Sequence, residues 1–254
     1  MPAPKNHLKA ALGAGQMQRG LWMNMCSEVS AEIAGKAGFD WCLLDHEHGP
    51  YDPQLMRRQL IALEGTPAHA VARVPSNEVW ILKQVLDLGV QSVLVPMVDT
   101  AEEAEAVVRA CLYPPAGIRG MGVTSTRAAD FGGYSDSPAT ANAQICVMVQ
   151  AESARALENL EAICATDGVD CVFIGPADLA ADMGYTHDLG NKVVMDAIDD
   201  AITRIVASGK AAGIITLDPE KQSHYAKLGV TFLGMNVETS VYADGVRAIA
   251  KRSL

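Results

Sequence analysis

Val147-Met148-Val149-Gln150-Ala151-Glu152 and Val172-Phe173-Ile174-Gly175-Pro176-Ala177-Asp178 each run a short apolar stretch into a carboxylate. Buried strands of a parallel sheet read as such runs, because both faces are covered. In a β/α barrel, side chains just past the C-terminal strand ends face the active-site mouth. Glu152 and Asp178 then converge from adjacent strands. Two carboxylates with open positions for substrate and water suit a hard divalent cation.

Working outward, eight β-like runs alternate with eight helix-like segments. The strands are expected at Leu21–Met25, Trp41–Asp45, His69–Val74, Ser92–Met97, Ile145–Gln150, Asp170–Ile174, Ala212–Thr216 and Thr231–Val237. Helical spacing follows at Ala31–Ala37, Pro53–Leu63, Glu78–Leu88, Ala101–Leu112, Ala154–Ala165, Lys192–Ser208, Pro219–Leu228 and Thr239–Ala250. Gly38, Gly65, Gly89, Gly209 and Gly229 mark helix-to-strand returns, where a residue past the helix end takes positive φ. Strict alternation in one compositional regime predicts a single α/β domain over 1–254, a (β/α)8 TIM barrel. The first strand has no G-x-G-x-x-G behind it, which removes the signature of a dinucleotide fold.

The chain has 254 residues, the size of one such barrel, with 49% hydrophobic and 20% charged residues. A net charge of −10 argues against a nucleic-acid partner, whose phosphates call for a basic face. No apolar stretch approaches the ~20 residues of a membrane span, and Met1–Gly13 has no continuous apolar core of a signal peptide. The six cysteines contain no C-x-x-C pair and read as reduced, buried hydrophobes of a cytoplasmic protein. One segment breaks the rhythm: Tyr113–Ala143, rich in Gly, Pro, Ser and Thr and carrying Arg119 and Arg127. A loop of that length reads as either a lid or an oligomer contact.

The other strand ends are equally polar. Strand 2 runs into Asp45-His46-Glu47-His48-Gly49-Pro50, where an acid beside a histidine suits general acid–base work and an exposed polar turn is the alternative. Arg73 closes strand 3 inside an apolar run, either as an internal salt bridge or as a carboxylate or oxyanion clamp. Gln150 and Glu152 share a side if strand 5 stays extended. The backbone N–H groups of Gly175, Ala177 and Asp178 can hold a carboxylate. Strands 7 and 8 end in Thr216/Asp218 and Asn236/Glu238, without the glycine-rich phosphate cup many barrels carry there. The nine lysines fall in the N-terminal arm, in helices or in helix-to-strand turns, which argues against imine chemistry at the pocket.

Four stretches resemble one family: Leu44-Asp45-His46-Glu47-His48-Gly49-Pro50, Leu94-Val95-Pro96-Met97-Val98, Tyr113-Pro114-Pro115-Ala116-Gly117-Ile118-Arg119-Gly120 and Val172 to Leu179. They are similar to the HpcH/HpaI-type metal-dependent pyruvate aldolases, typified by 4-hydroxy-2-oxoheptane-1,7-dioate aldolase, over essentially the whole chain. The resemblance implies that Glu152 and Asp178 bind a divalent metal (magnesium or manganese, with cobalt or zinc as further options). It implies that Gln150, Ala177 and Asp178 contact the pyruvate moiety, that Arg73 contacts substrate and stabilises the transition state, and that His48 is the acid/base with Asp45 as its partner. An aspartate at the position of Asp87 makes the histidine more basic in the family. Here it falls near the end of the third barrel helix, far from His48, so that it acts only across a subunit contact or through an unforeseen bend. His46 departs from the small or uncharged residue usual in relatives, and is expected near the mouth as a modulator of aldehyde preference or a competitor for metal. The family also implies a homohexamer, a trimer of dimers exchanging the last helix, with Val237, Val241, Tyr242, Val246 and Ile249 as its apolar docking face.

The reaction expected is reversible aldol cleavage of a 4-hydroxy-2-oxo acid to an aldehyde and pyruvate, or a related 2-oxo acid such as hydroxypyruvate. Two other readings remain at this stage. A binuclear metal hydrolase would use His46-x-His48 as a ligand pair, although no other histidine ends a strand. A non-enzymatic binder would satisfy the polar cluster internally.

Overall fold

The computed structural model describes residues 1–252. Its strands are β1 (Gln18–Met23), β2 (Trp41–Asp45), β3 (His69–Arg73), β4 (Ser92–Val95), β5 (Cys146–Ala151), β6 (Val169–Ile174), β7 (Ala211–Ile215) and β8 (Phe232–Val237). They pair in chain order, all parallel, and β8 closes on β1. This is the (β/α)8 barrel that the alternation predicts. The five glycines at the helix-to-strand returns all take positive φ, from 76° at Gly65 to 101° at Gly229.

Strand alternation divides the apolar side chains between two cores. Inward residues fill the barrel: Trp22, Trp41, Leu43, Val71, Leu94, Met148, Phe173 and Phe232 among them. Trp41 stacks on Phe232 with ring centroids 4.1 Å apart. A Cβ on Gly20 would run into the Trp41 indole, so glycine there gives the ring its room. Outward residues such as Cys42, Leu44, Ala72 and Val149 pack under the helices. The same parity orders each strand top. On β2, Trp41, Leu43 and Asp45 point in, and the next residue points out.

The helices start at the C-terminal end of the barrel, where Ser27, Asp52, Thr100, Ser153 and Asp218 accept N–H bonds as side-chain caps. Several elements exceed the alternation, among them the short helix Ser137–Thr140 within segment 113–143. The arm before β1 forms a helix, His7–Gly13, whose Leu8 and Leu12 join the inner core. The turn after β6 winds into a helix, Pro176–Asp182, with proline in its first turn. Segment 154–165 forms two short helices, Ala154–Glu158 and Leu160–Ala165, parted at Asn159, whose side-chain amide donates to the Asp99 carbonyl.

Segment 113–143 lies at the N-terminal end of the barrel, which corrects the lid expectation. Arg127 donates to the Leu88 carbonyl and pairs with Glu64, at the far ends of the helices Val79–Asp87 and Pro53–Leu63. A helix-to-strand connection necessarily emerges at that end, so this segment cannot close over its own chain's mouth. Among the described residues no helix is long and apolar enough to cross a membrane, and all six cysteines are buried and free.

Candidate active site

At the C-terminal mouth a cavity of about 280 Å³ is lined by Trp22, Asn24, Asp45, His48, Arg73, Gln150, Glu152, Phe173, the stretch Gly175–Asp178, Ile215 and Val237. It gathers every residue expected at the site except Asp87 and His46, and no lysine lines it. A larger cavity, about 450 Å³, lies under segment 113–143 at the other end of the barrel. It holds none of the converging acids, and the chemistry of the side chains, not size, marks the candidate site.

Asp45 and Arg73 are register partners at the tops of β2 and β3. Their side chains form a buried, two-pronged pair: Nε to Oδ1 at 2.9 Å and Nη2 to Oδ2 at 2.6 Å. Glu47 Oε2 lies 2.7 Å from Nη1, and the guanidinium carbon sits 4.9 Å over the Trp22 ring. Two of the five N–H groups are therefore committed to Asp45, which fixes the guanidinium plane and leaves N–H groups on both Nη atoms for Glu47 and a substrate oxygen. Burial alone would raise the Asp45 carboxyl. The Arg73 bonds and the backbone N–H groups of Glu47 and His48 outweigh it and hold the acid below the usual range. Glu47 goes the other way: burial, with the repulsion of Glu152 and Asp45, pushes it up to about 7 against the pull of Arg73.

This corrects the expected Asp45–His48 pairing. Asp45 binds Arg73, accepts from the Trp22 indole at 3.2 Å, and meets His48 through its backbone N–H at 3.3 Å. The carboxylate shapes the turn, and the His48 side chain, exposed at the cavity rim, is carried by that turn.

Glu152 is 2% exposed. It accepts from Gln150 Nε2 at 2.5 Å and from the Met97 N–H at 2.8 Å. Met97 is held at φ 53°, a strained conformation for a side-chain-bearing residue and typical of functional sites. A Cβ on Gly175 would collide with the Glu152 carboxylate, so this strand end must be glycine. Burial raises the Glu152 pKa, Asp178 adds to it, and the Met97, Gln150 and Arg73 contacts oppose it. Asp178 sits exposed in the first turn of helix Pro176–Asp182, whose early N–H groups have no partner within the helix.

The donors here fit a hard cation. Glu152 and Asp178 supply carboxylate oxygens, and Gln150 Oε1 is buried in the same cavity without a hydrogen-bond partner. No cluster of three or more His, Cys, Asp or Glu forms a metal cage among the described residues. A site with two protein carboxylates leaves its other positions to substrate and water.

His46 does not stand at the mouth, contrary to expectation. It is 0% exposed, on the outer side of the barrel wall beside Gln59 of helix Pro53–Leu63, because the residue after an inward Asp45 must point outward. Burial lowers its pKa against the opposing influence of Gln59, Asp45 and the Pro50 carbonyl. His46 and His48 do not share a cavity, which removes the ligand pair of a binuclear hydrolase. Asp87 ends helix Val79–Asp87, 2.7 Å from the buried Arg119 at the N-terminal end of the barrel, as its position in the helix predicts. Residues that the sequence reading left unassigned are Trp22, Glu47 and Met97. Parity along β1 and β2 was the available signal for the first two. Nothing in the sequence signals the Met97 conformation.

A closed parallel barrel whose C-terminal mouth gathers converging acids, an arginine and a histidine has the fold and site of a (β/α)8 enzyme. The family model of the HpcH/HpaI aldolase/citrate lyase family matches residues 18–244, and the chain belongs to that family. It is 48% identical over 252 residues to a hydroxypyruvate/pyruvate aldolase of Agrobacterium fabrum, covering 99% of this chain and 95% of that one. It is 47% identical to a 4-hydroxy-2-oxovalerate aldolase of Rhodococcus jostii, covering 99% and 97%. A crystal structure of a HpcH/HpaI family protein from Burkholderia cenocepacia superposes with a TM-score of 0.94 at 35% identity, covering 97% and 98%. The chain is an aldolase, a carbon–carbon lyase, and the hydrolase and binder readings are set aside.

Proposed function

We propose that this aldolase cleaves 4-hydroxy-2-oxo acids to pyruvate, or a related 2-oxo acid such as hydroxypyruvate, and an aldehyde, with a divalent cation on Glu152 and Asp178. The observation that carries the reading is the buried, unpartnered Gln150 Oε1 beside the raised-pKa Glu152 carboxylate. Buried oxygens without donors are costly unless a cation or a ligand completes them. A divalent ion held there supplies Lewis acidity toward the 2-oxo carbonyl.

The chain's own residues do the rest. Gln150 and the first-turn amides of Ala177 and Asp178 orient the 2-oxo acid. Arg73, its plane locked by Asp45 and Glu47, directs its remaining N–H groups at the enolate oxygen, a type of contact worth ~2.7–4 kcal/mol of barrier. His48 takes the proton of the 4-hydroxyl as the C3–C4 bond breaks. Trp22, Phe173, Ile215 and Val237 provide the apolar wall that keeps bulk water from the enolate.

The assembly proposed is a homohexamer, a trimer of dimers exchanging the last helix, in the cytoplasm. Supporting it, helix Glu238–Ala250 buries only Glu238 and leaves Val241, Tyr242, Val246 and Ile249 exposed. Asp87, tied to Arg119, would serve His48 across such a subunit contact. A panel of 4-hydroxy-2-oxo acids assayed for pyruvate release, with and without EDTA, tests the whole reading. Magnesium or manganese should restore activity after chelation, and full turnover in metal-free protein would sink the metal assignment.

A further inference from the structure

Met97 holds φ 53°, although its side chain is 53% exposed and does not wedge it there. A conformation that costs ~1–3 kcal/mol persists only where its surroundings over-determine it. Here the surroundings are hydrogen bonds that three successive residues after β4 make to the end of β5. The Met97 N–H donates to Glu152 Oε1 at 2.8 Å. The Val98 N–H donates to the Gln150 carbonyl at 3.1 Å. Asp99 Oδ1 accepts from Ser153 Oγ at 2.6 Å. The Asp99 backbone is tied on its other side, its N–H donating to Glu103 Oε2 at 2.7 Å and its carbonyl accepting from Asn159 Nδ2 at 2.9 Å.

Ser153 is buried, and its hydroxyl is used twice. The oxygen accepts from the Ala156 N–H at 2.9 Å and caps helix Ala154–Glu158. The one proton goes to Asp99, because a hydroxyl has a single donor and a carboxylate oxygen accepts. A cap needs only the oxygen, so the bond to Asp99 serves another purpose. Ser153 directly follows Glu152, and Asp99 stands two residues beyond Met97. Their bond keeps residues 97–99 against β5 and thereby keeps the Met97 N–H on Glu152 Oε1. Gln150 Nε2 holds the other oxygen, Oε2. With one donor on each oxygen the carboxylate is fixed in its plane, and each oxygen retains a lone pair for a cation.

We propose that Asp99 and Ser153 brace the loop after β4 against β5 and act as positioning residues for Glu152, presenting its carboxylate to a divalent cation in one orientation. The inference rests on the cation proposed above for Glu152 and Asp178. Groups that orient a metal-binding side chain from behind typically matter by about 10- to 100-fold in ion affinity.

Asp99→Ala is the decisive variant, because it removes the brace and leaves the Ser153 cap in place. In it, manganese binding followed by electron paramagnetic resonance should weaken by about 10- to 100-fold. Ser153→Ala should behave alike, and it carries the same test should Asp99→Ala not fold. Asp99→Asn keeps an oxygen for the Ser153 proton and should bind manganese as the unaltered protein does. Affinity unchanged in the alanine variants, or lost equally in Asp99→Asn, overturns the proposal. A second readout needs no ion. In EDTA-treated protein the Met97 and Val98 amides should exchange with deuterium faster in both alanine variants than in Asp99→Asn, and equal exchange also overturns it. Failure of the unaltered protein to bind manganese, by contrast, counts against the cation on Glu152, and the exchange comparison still decides whether Asp99 and Ser153 hold the loop.

Discussion

The two ends of the barrel are built from the same strands and hold their buried acids differently. At the N-terminal end, Lys9 Nζ lies 2.9 Å from Asp170 Oδ2 and donates to the Ile145 carbonyl at 2.6 Å. Asn6 caps its helix through Lys9 N and donates to Ser92 and Gln144. These groups are matched one to another, and Leu8 and Leu12 beneath them seal the inner core. At the C-terminal end, Gln150 Oε1 and Asn24 Oδ1 are buried without donors, Glu152 is held with a raised pKa, and Met97 is strained to reach it. An acid paired with a lysine, as Asp170 is with Lys9, stabilises a fold, whereas a buried acid with a raised pKa, as Glu152 is, leaves room for a ligand that supplies the missing positive charge.

The sharpest way to break that contrast is Glu152→Gln. Turnover should fall to background and divalent-ion binding, followed by calorimetry, should vanish. The neutral amide escapes the burial cost that raises the Glu152 pKa, so the EDTA-treated variant should be more stable by about 1 kcal/mol. A lower Tm together with retained activity would mean that the mouth is not a strained metal site.

His48→Ala should lower aldol turnover by roughly 10²–10⁴-fold, the range for a general acid–base group, while ion binding and Tm hold. Loss of ion binding in that variant would place His48 among the ligands.

The ends should also differ in pH response. Glu47, an acid raised to about 7, binds a proton more tightly folded than unfolded. Its contribution is present at low pH and is lost as pH climbs through the window from the ordinary value of 4.5 to about 7. His69, at the start of β3, is pushed down to about 4 by burial first and by nearby His7. Its contribution is present above the ordinary value of 6.5 and is lost as pH falls toward 4. In EDTA-treated protein, Glu47→Gln should therefore steepen the rise of stability with pH between about 4.5 and 6.5, and His69→Gln should flatten it. Denaturant titrations across that range decide the matter, and a change of the same sign in both variants would refute it.

The smallest effect is expected at the N-terminal end. Lys9→Ala should cost about 1 kcal/mol, the worth of one partly exposed pair and its hydrogen bond, with kcat unchanged. A comparable loss of turnover would show that the two ends are coupled.

Much of this was legible in the chain. The strands at Trp41–Asp45 and His69–Arg73 stand within a residue of the expected runs, and helices Pro53–Leu63 and Pro219–Leu228 have the expected bounds, because periodicity and caps are local properties. Asp45, Arg73, Gln150 and Glu152 reach one cavity as the strand-end argument requires. The errors came where direction mattered. His46 was expected at the mouth although the parity that turns Asp45 inward turns it outward. Segment 113–143 was weighed as a lid although a helix-to-strand connection emerges at the opposite end.

Sequence by itself determined the barrel, its orientation and the carboxylates of its mouth, since apolar period, glycine returns and strand-end residues are all written in short windows of chain. Only the tertiary structure decided who pairs with whom. Asp45 chooses Arg73 over the His48 ring because the neighbouring strand sets that guanidinium in register, while the turn carries the ring away. Met97 takes a left-handed backbone because a carboxylate 55 residues further on accepts its N–H. Such choices depend on distances between strands that no local pattern encodes.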